Sequence, residues 1–188
     1  MSNNYFRLFR LALLVNLFGL FAGCGGASSP DTDNIPAVEH FNLQRYMGKW
    51  YEIARLPNRF ERNVADAQAD YSLQADGTVK VINQGIKNHI NVSVSGIAKT
   101  TGISGLGELE VSFFPPFYSL YKIIYLNSDY TLAIVTSSTM DHLWILSRKP
   151  IISRQELAQC LELLKKWGFA IKLLQYPSGM VESLAAAP

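Results

Sequence analysis

The chain has 188 residues, 48% of them hydrophobic, with 17 basic and 15 acidic side chains, a size suited to one domain built on one core. Arg7 and Arg10 are the only charged residues before position 24, so the rest of the chain carries equal numbers of each sign. A nucleic-acid binder needs a basic excess to neutralise phosphates, and that class is excluded.

Taken in chain order, residues 1–23 read as an export signal. Arg7 and Arg10 form its positive end, and Leu11 to Gly23 form a short apolar stretch ending in small residues. Thirteen residues at about 1.5 Å each fall short of a hydrocarbon layer of about 30 Å, which disfavours a permanent transmembrane helix. Leu20-Phe21-Ala22-Gly23-Cys24 resembles a lipobox, with Cys24 as the acylated first residue of a bacterial lipoprotein. By the same resemblance, Gly25 favours sorting to the outer membrane. Residues 24–37, rich in Gly, Ser, Pro and Asp, read as a flexible tether. With Cys24 acylated, Cys160 has no partner for an internal disulfide and reads as a buried thiol.

From residue 38 to 178 the dominant pattern is alternation with period two, the mark of strands with one covered face. Strands are expected at Trp50 to Arg55, Ala67 to Leu73, Thr78 to Gly85, Ile90 to Ser95, Leu109 to Phe113, Leu120 to Leu126, Thr131 to Thr136 and Leu143 to Arg148. Asp76-Gly77 turns one hairpin. The joints are too short for crossover helices, so the strands form an antiparallel meander. Ser153 and Glu156 fit a capping box ahead of Leu157, Cys160, Leu161 and Leu164, a single apolar stripe that Gly168 ends. A last short strand is expected at Ile171 to Tyr176, and residues 179–188 read as a disordered tail. The expected fold is all-β: an eight-stranded antiparallel up-and-down barrel with one C-terminal α-helix packed outside it. Closure removes exposed strand edges, and a barrel of eight strands is filled by side chains or holds one small ligand.

Gly48-Lys49-Trp50-Tyr51-Glu52-Ile53-Ala54-Arg55 matches the G-x-W signature of the lipocalins, in the extended form of their bacterial and apolipoprotein-D-like branch. Further blocks follow in order: Tyr71-Ser72-Leu73, Val81 to Gly85, Val111 to Tyr118 and Leu143 to Pro150. On these motifs the chain resembles a bacterial lipocalin of the outer-membrane lipoprotein type. The resemblance implies reversible capture of a fatty acid or lysophospholipid in lipid storage, transport or repair, without catalysis. The alternative is an enzyme on the same barrel, a lipid or pigment isomerase.

Trp50 and Arg148 fall on neighbouring strands of a closed meander, where a guanidinium over an indole face makes a cation–π contact. Gly48, Trp50 and Arg148 are therefore expected as structural signature residues at the closed end. The same parity turns one alternate set inward to line the lumen: Ala69, Tyr71, Val79, Val81, Leu109, Val111, Phe113, Tyr121, Ile123, Tyr125, Ala133, Val135, His142 and Trp144. Alanines among aromatics suit an elongated apolar slot, with tyrosine hydroxyls meeting a polar head at the mouth. Glu52 shares the parity of Trp50 and is expected as a hydrogen-bonded buried acid. His40, His89 and His142 have no metal-site spacing, and no cofactor motif is present. Phe114-Pro115-Pro116-Phe117 is an apolar loop expected to mark a homodimer or membrane contact.

Overall fold

The computed structural model describes residues 29–58 and 61–177. The expected export signal, Cys24 and the tail at 179–188 lie outside the described residues. Eight strands close into one antiparallel barrel in sequence order, with β1 hydrogen-bonded to both β2 and β8. They are β1 (Gly48–Arg55), β2 (Val64–Leu73), β3 (Val79–Lys87), β4 (Ile90–Thr100), β5 (Glu108–Phe114), β6 (Phe117–Leu126), β7 (Leu132–Thr136) and β8 (Leu143–Ser147). A four-residue helix, α1 (Leu43–Tyr46), precedes β1, and α2 (Arg154–Lys166) follows β8. Ser153 and Glu156 make the full capping box at the start of α2, so two free first-turn amides are satisfied.

Two hydrophobic clusters divide the barrel wall. One fills the inner face around Trp50, Tyr71, Val81, Leu109 and Ala133. The other lies outside, where Leu157, Cys160 and Leu164 of α2 cover Ile53, Ala54, Ile124, Ile134 and Ile145. That cover explains why β7 and β8 are apolar on both faces in the sequence: each face meets a core.

Two bulges set which residue takes which face. In β1, Glu52 pairs with Leu146 and Ala54 with Ile145, leaving Ile53 extra. In β6, Ile123 pairs with Val135 and Tyr125 with Ile134, leaving Ile124 extra. An inserted residue puts two consecutive side chains on one face and reverses the alternation beyond it. Ile53 with Ala54, and Ile124 with Tyr125, thus turn outward to α2. The expectation that Tyr125 lines the lumen is corrected: it packs in the outer cluster, and its hydroxyl accepts from Gln159 of α2 at 3.1 Å.

Residues 30–37, expected in the tether, are a packed strap. Asp31 bridges Thr139, the Thr32 hydroxyl donates to Ser137 O at 2.6 Å, and Ile35 joins the outer cluster. Buried Lys122 fastens it by donating to Thr32 O at 3.0 Å. The strap runs from the β7–β8 connection to the opposite end, where Val38 bonds Ile123 and Gly107. The expected strand at Ile171 to Tyr176 is also corrected: Ile171–Leu173 is one 3-10 turn, and only Gln175 pairs, with Arg55. A closed barrel offers a ninth strand no edge, and β1 has room for a partner only at Arg55, past its last pair with β2.

At the closed end, α1 lies across the barrel floor. Arg148 sits with Cζ 3.9 Å from the Trp50 ring and donates to four carbonyls: Lys49 O, Arg45 O, Tyr46 O and Tyr130 O. Trp50 Nε1 donates to Tyr46 O at 2.9 Å. Gly48 holds φ +89° beside the Arg148 guanidinium, a left-handed conformation that glycine adopts without strain. Arg148→Ala is expected to cost about 3–5 kcal/mol, combining a desolvated cation–π contact with several charge-assisted bonds. Arg148→Lys should recover less than half, because an ammonium lacks the planar five-donor fork. Urea unfolding of the three proteins checks this, and a lysine variant as stable as wild type would refute the planar-fork account.

Candidate functional site

The lumen is built from the inner face of every strand. Trp50, Val79, Val81, Leu109, Ile123, Ala133 and Val135 are essentially buried and form its lower part, with Ala69 and Tyr71 beside them. Above them the wall is open. Val111, Phe113 and Trp144 pack on the inner cluster yet keep accessible surface. The register carries this furthest on β4. Trp50 pairs with Ala69, Ala69 with Asn83 and Asn83 with Val94, so Val94 shares the inward row of Trp50. It is nonetheless 41% exposed. Val94 lies on the stretch of β4 beyond its last β5 pair at Ile97, so its inward face looks onto the open end of the barrel.

A small residue shapes the wall there. Gly96 lies under Phe113, whose ring would meet a Cβ at 2.7 Å. Glycine there lets the ring lie flat on the wall instead of crossing the lumen. The expected lining residues take the inner face, apart from Tyr125 and His142. His142 belongs to the β7–β8 connection, where it stacks on Trp144 at 6.2 Å and contacts Asp141 at 2.8 Å. It is a rim residue. The tyrosine hydroxyls also differ from expectation. Tyr46 and Tyr71 each bond Tyr121, at 2.8 and 3.1 Å, close to Trp50 and away from the mouth. Burial pushes all three phenols up, Tyr71 to about 12, so they stay neutral and form a polar spot in the deep lumen.

A second polar group sits higher. Because of the Ile53 bulge, Glu52 and Arg55 both face inward and bond each other as a buried pair. Arg55 also donates to Glu61 O and Val64 O, each at 3.0 Å, which ties the β1–β2 connection to the barrel. Glu61 accepts from Trp144 Nε1 at 2.9 Å and Asn58 Nδ2 at 2.7 Å. The sequence reading found Glu52 but missed Arg55 and Glu61. Strict alternation puts Arg55 on the opposite face from Glu52, and nothing in the sequence announces the bulge. Val92, Val94 and Asn83 were missed for a related reason: alternation is visible in β4, but its phase depends on the register. A groove of about 520 Å³ lies along Gln68, Gln84, Asn91 and Ser93, with Glu52 and Val92 also in its lining. Gln68, Gln84, Asn91 and Ser93 alternate with the inward set, so their side chains lie on the outer wall.

Burial and the nearby Glu61 carboxylate raise the Glu52 carboxyl from its ordinary 4.5 to about 7, against the opposing pull of Arg55. The native protein therefore keeps a proton that the unfolded chain releases between these values. The stability this contributes is fully present below about pH 4.5 and is lost as pH rises through about 7. Glu52→Gln should remove that part of the profile. The stability difference between variant and wild type is expected to move in the variant's favour by on the order of 2 kcal/mol from pH 4.5 to 7.5. Urea midpoints across the window read it, and a constant difference would count against a buried, proton-holding Glu52.

Comparison with known proteins agrees with this geometry. Residues 41–178 match the lipocalin-like domain family. The chain is 37% identical to outer membrane lipoprotein Blc of Citrobacter freundii over 170 residues, covering 89% of this chain and 95% of that one. It is 36% identical to rat apolipoprotein D, covering 76% and 80% of the two chains. Among solved structures, insecticyanin from the tobacco hornworm Manduca sexta superposes with a TM-score of 0.66 at 19% identity, over 80% of this chain and 86% of that one. At that identity the superposition speaks for the fold alone. With its barrel, its Gly48–Trp50–Arg148 floor and this likeness over most of its length, the chain belongs to the lipocalin family, on the side of the bacterial outer membrane lipoproteins.

Proposed function

We propose that this lipocalin captures a single-chain lipid, a fatty acid or lysophospholipid, in its lumen while an acylated Cys24 holds it at the periplasmic face of the outer membrane. The observation that carries the reading is the exposed inward wall at Val94, continuous with Val92, Phe113 and Trp144. An acyl tail laid against that wall leaves water for an apolar slot, at roughly 0.8 kcal/mol for each methylene buried. The polar head stays at the level of Glu52, Arg55, Glu61 and His142, where donors and acceptors lie near the mouth. The acyl anchor is supported by the lipobox-like Leu20 to Cys24 and by likeness to proteins named as outer membrane lipoproteins. We read the barrel as a binder: the three phenols are neutral and bonded to one another, and Glu52 is held by Arg55.

Native mass spectrometry of delipidated protein mixed with lysophospholipid is expected to show a one-to-one complex at micromolar concentration. Val94→Trp should weaken binding at least tenfold, about 1.4 kcal/mol, by filling the slot. Ser95→Trp, one residue along on the outer face, should leave it unchanged. Equal affinities for the two variants would place the ligand outside the lumen.

A further inference from the structure

Four connections surround the open end of the barrel, and among the described residues two of them carry exposed apolar side chains at their tips. Phe114, Phe117 and Tyr118 flank the β5–β6 turn, with Phe117 68% exposed. Ile86 and Ile90 flank the neighbouring β3–β4 turn, with Ile90 67% exposed. Lys87 stands between them in sequence. Aromatic and aliphatic tips with a cation beside them suit the boundary between hydrocarbon and headgroups, where a lysine stem lies along apolar surface with its charge in water.

The chain enters the described structure at this same end. Pro30 O accepts from Met140 N, and Thr32 N donates to Ser138 O, both in the β7–β8 connection. Cys24 and Pro30 are six residue steps apart, and six steps reach at most about 20 Å. From rim to floor, the ten residues of β6 run about 33 Å, or about 25 Å along the axis at the tilt usual for barrels. A lipid anchor at Cys24 therefore starts from the rim and falls short of the floor.

We infer that the open rim, through Phe114, Phe117, Tyr118, Ile86 and Ile90, docks on the phospholipid surface that holds the anchor. The inference rests on the anchoring proposed above and deepens it, because it fixes which end of the barrel faces the bilayer. A lipid tail then passes from the bilayer into the lumen through an apolar mouth without crossing water. The floor, sealed by α1 and Arg148, faces away.

The test uses the mature, lipidated protein reconstituted into phosphatidylcholine vesicles whose chains are brominated at known depth. A single environment-sensitive fluorophore is attached through Ile90→Cys, Phe117→Cys, Ile103→Cys or Ile151→Cys. Cys160 is fully buried with its thiol pushed up to about 12, and Cys24 is consumed by acylation, so the introduced thiol is the one labelled. Ile103 lies in the β4–β5 connection at the floor and Ile151 in the β8–α2 connection just past Arg148, and both are exposed. Quenching at Ile90 and Phe117 is expected to exceed that at Ile103 and Ile151 at least threefold. Equal quenching, quenching strongest at the floor, or none at all overturns the proposal. So does a dimer in sedimentation that Phe117→Ser dissolves while the rim labels stay unquenched, which would assign the patch to a second copy of this chain. The intact mass of the reconstituted protein separates the two readings. A missing acyl mass on Cys24 overturns the anchoring and the docking together, whereas an acylated protein with unquenched rim labels overturns the docking alone.

Discussion

A strand has two faces, and in this barrel a single inserted residue at Ile53 decides what each face of β1 does. Below the insertion, Trp50 and Glu52 point inward by alternation; above it, Arg55 points inward where alternation would turn it out. The same insertion sends Ile53 and Ala54 together to the outer face, where α2 needs an apolar seat. Ile124 in β6 repeats the device on the other side of that seat. The outer core and the polar group near the mouth follow from these two residues. Removing either would slip the strand beyond it by one position and turn every later side chain to the wrong face.

The floor solves a different problem. A barrel closed in cross-section is still open at both ends, and a lumen meant for one apolar ligand must be shut at one of them. Arg148 does this with backbone as its partner. Its guanidinium covers the Trp50 ring while its donors take carbonyls from α1, from β1 and from the turn before β7. The stretch from Arg45 to Lys49 and the turn at Tyr130 are tied to the end of β8 at one point, and a charge beside the lumen is satisfied without a carboxylate. An acid placed there would itself need a partner, and an unpaired one costs more than it contributes.

The strands and their order were legible because alternation survives wherever one face meets water, as in β2 and β3. The motif residues Gly48, Trp50 and Arg148 were legible too, since a cation over an indole needs only adjacency of the first and last strands. The bulges were not, because Ile53 and Ile124 are aliphatic and suit either face. Tyr125 was assigned to the lumen for that reason, and Arg55 was overlooked. The strap at residues 30–37 was read as loose because Pro, Asp and Thr are the residues of linkers. Its stability comes from tertiary partners, Ser137 and Lys122, a hundred positions away in sequence.

The two polar groups inside the barrel differ in a way that bears on ligand orientation. The deep one consists of phenols that bond one another and stay neutral, so an apolar tail end can rest above them without leaving a charge dry. The upper one mixes two carboxyls with one guanidinium, and its members reach carbonyls of the β1–β2 connection as well as the wall. A charged or zwitterionic head gains more from the upper group, which lies close to water, than from the buried phenols, where desolvation of the charge would dominate. For the single-chain lipid proposed above, the step from neutral phenols in the deep lumen to ionisable groups at the rim would favour the tail-inward orientation by the cost of the reverse arrangement, with no single head-group contact having to provide it.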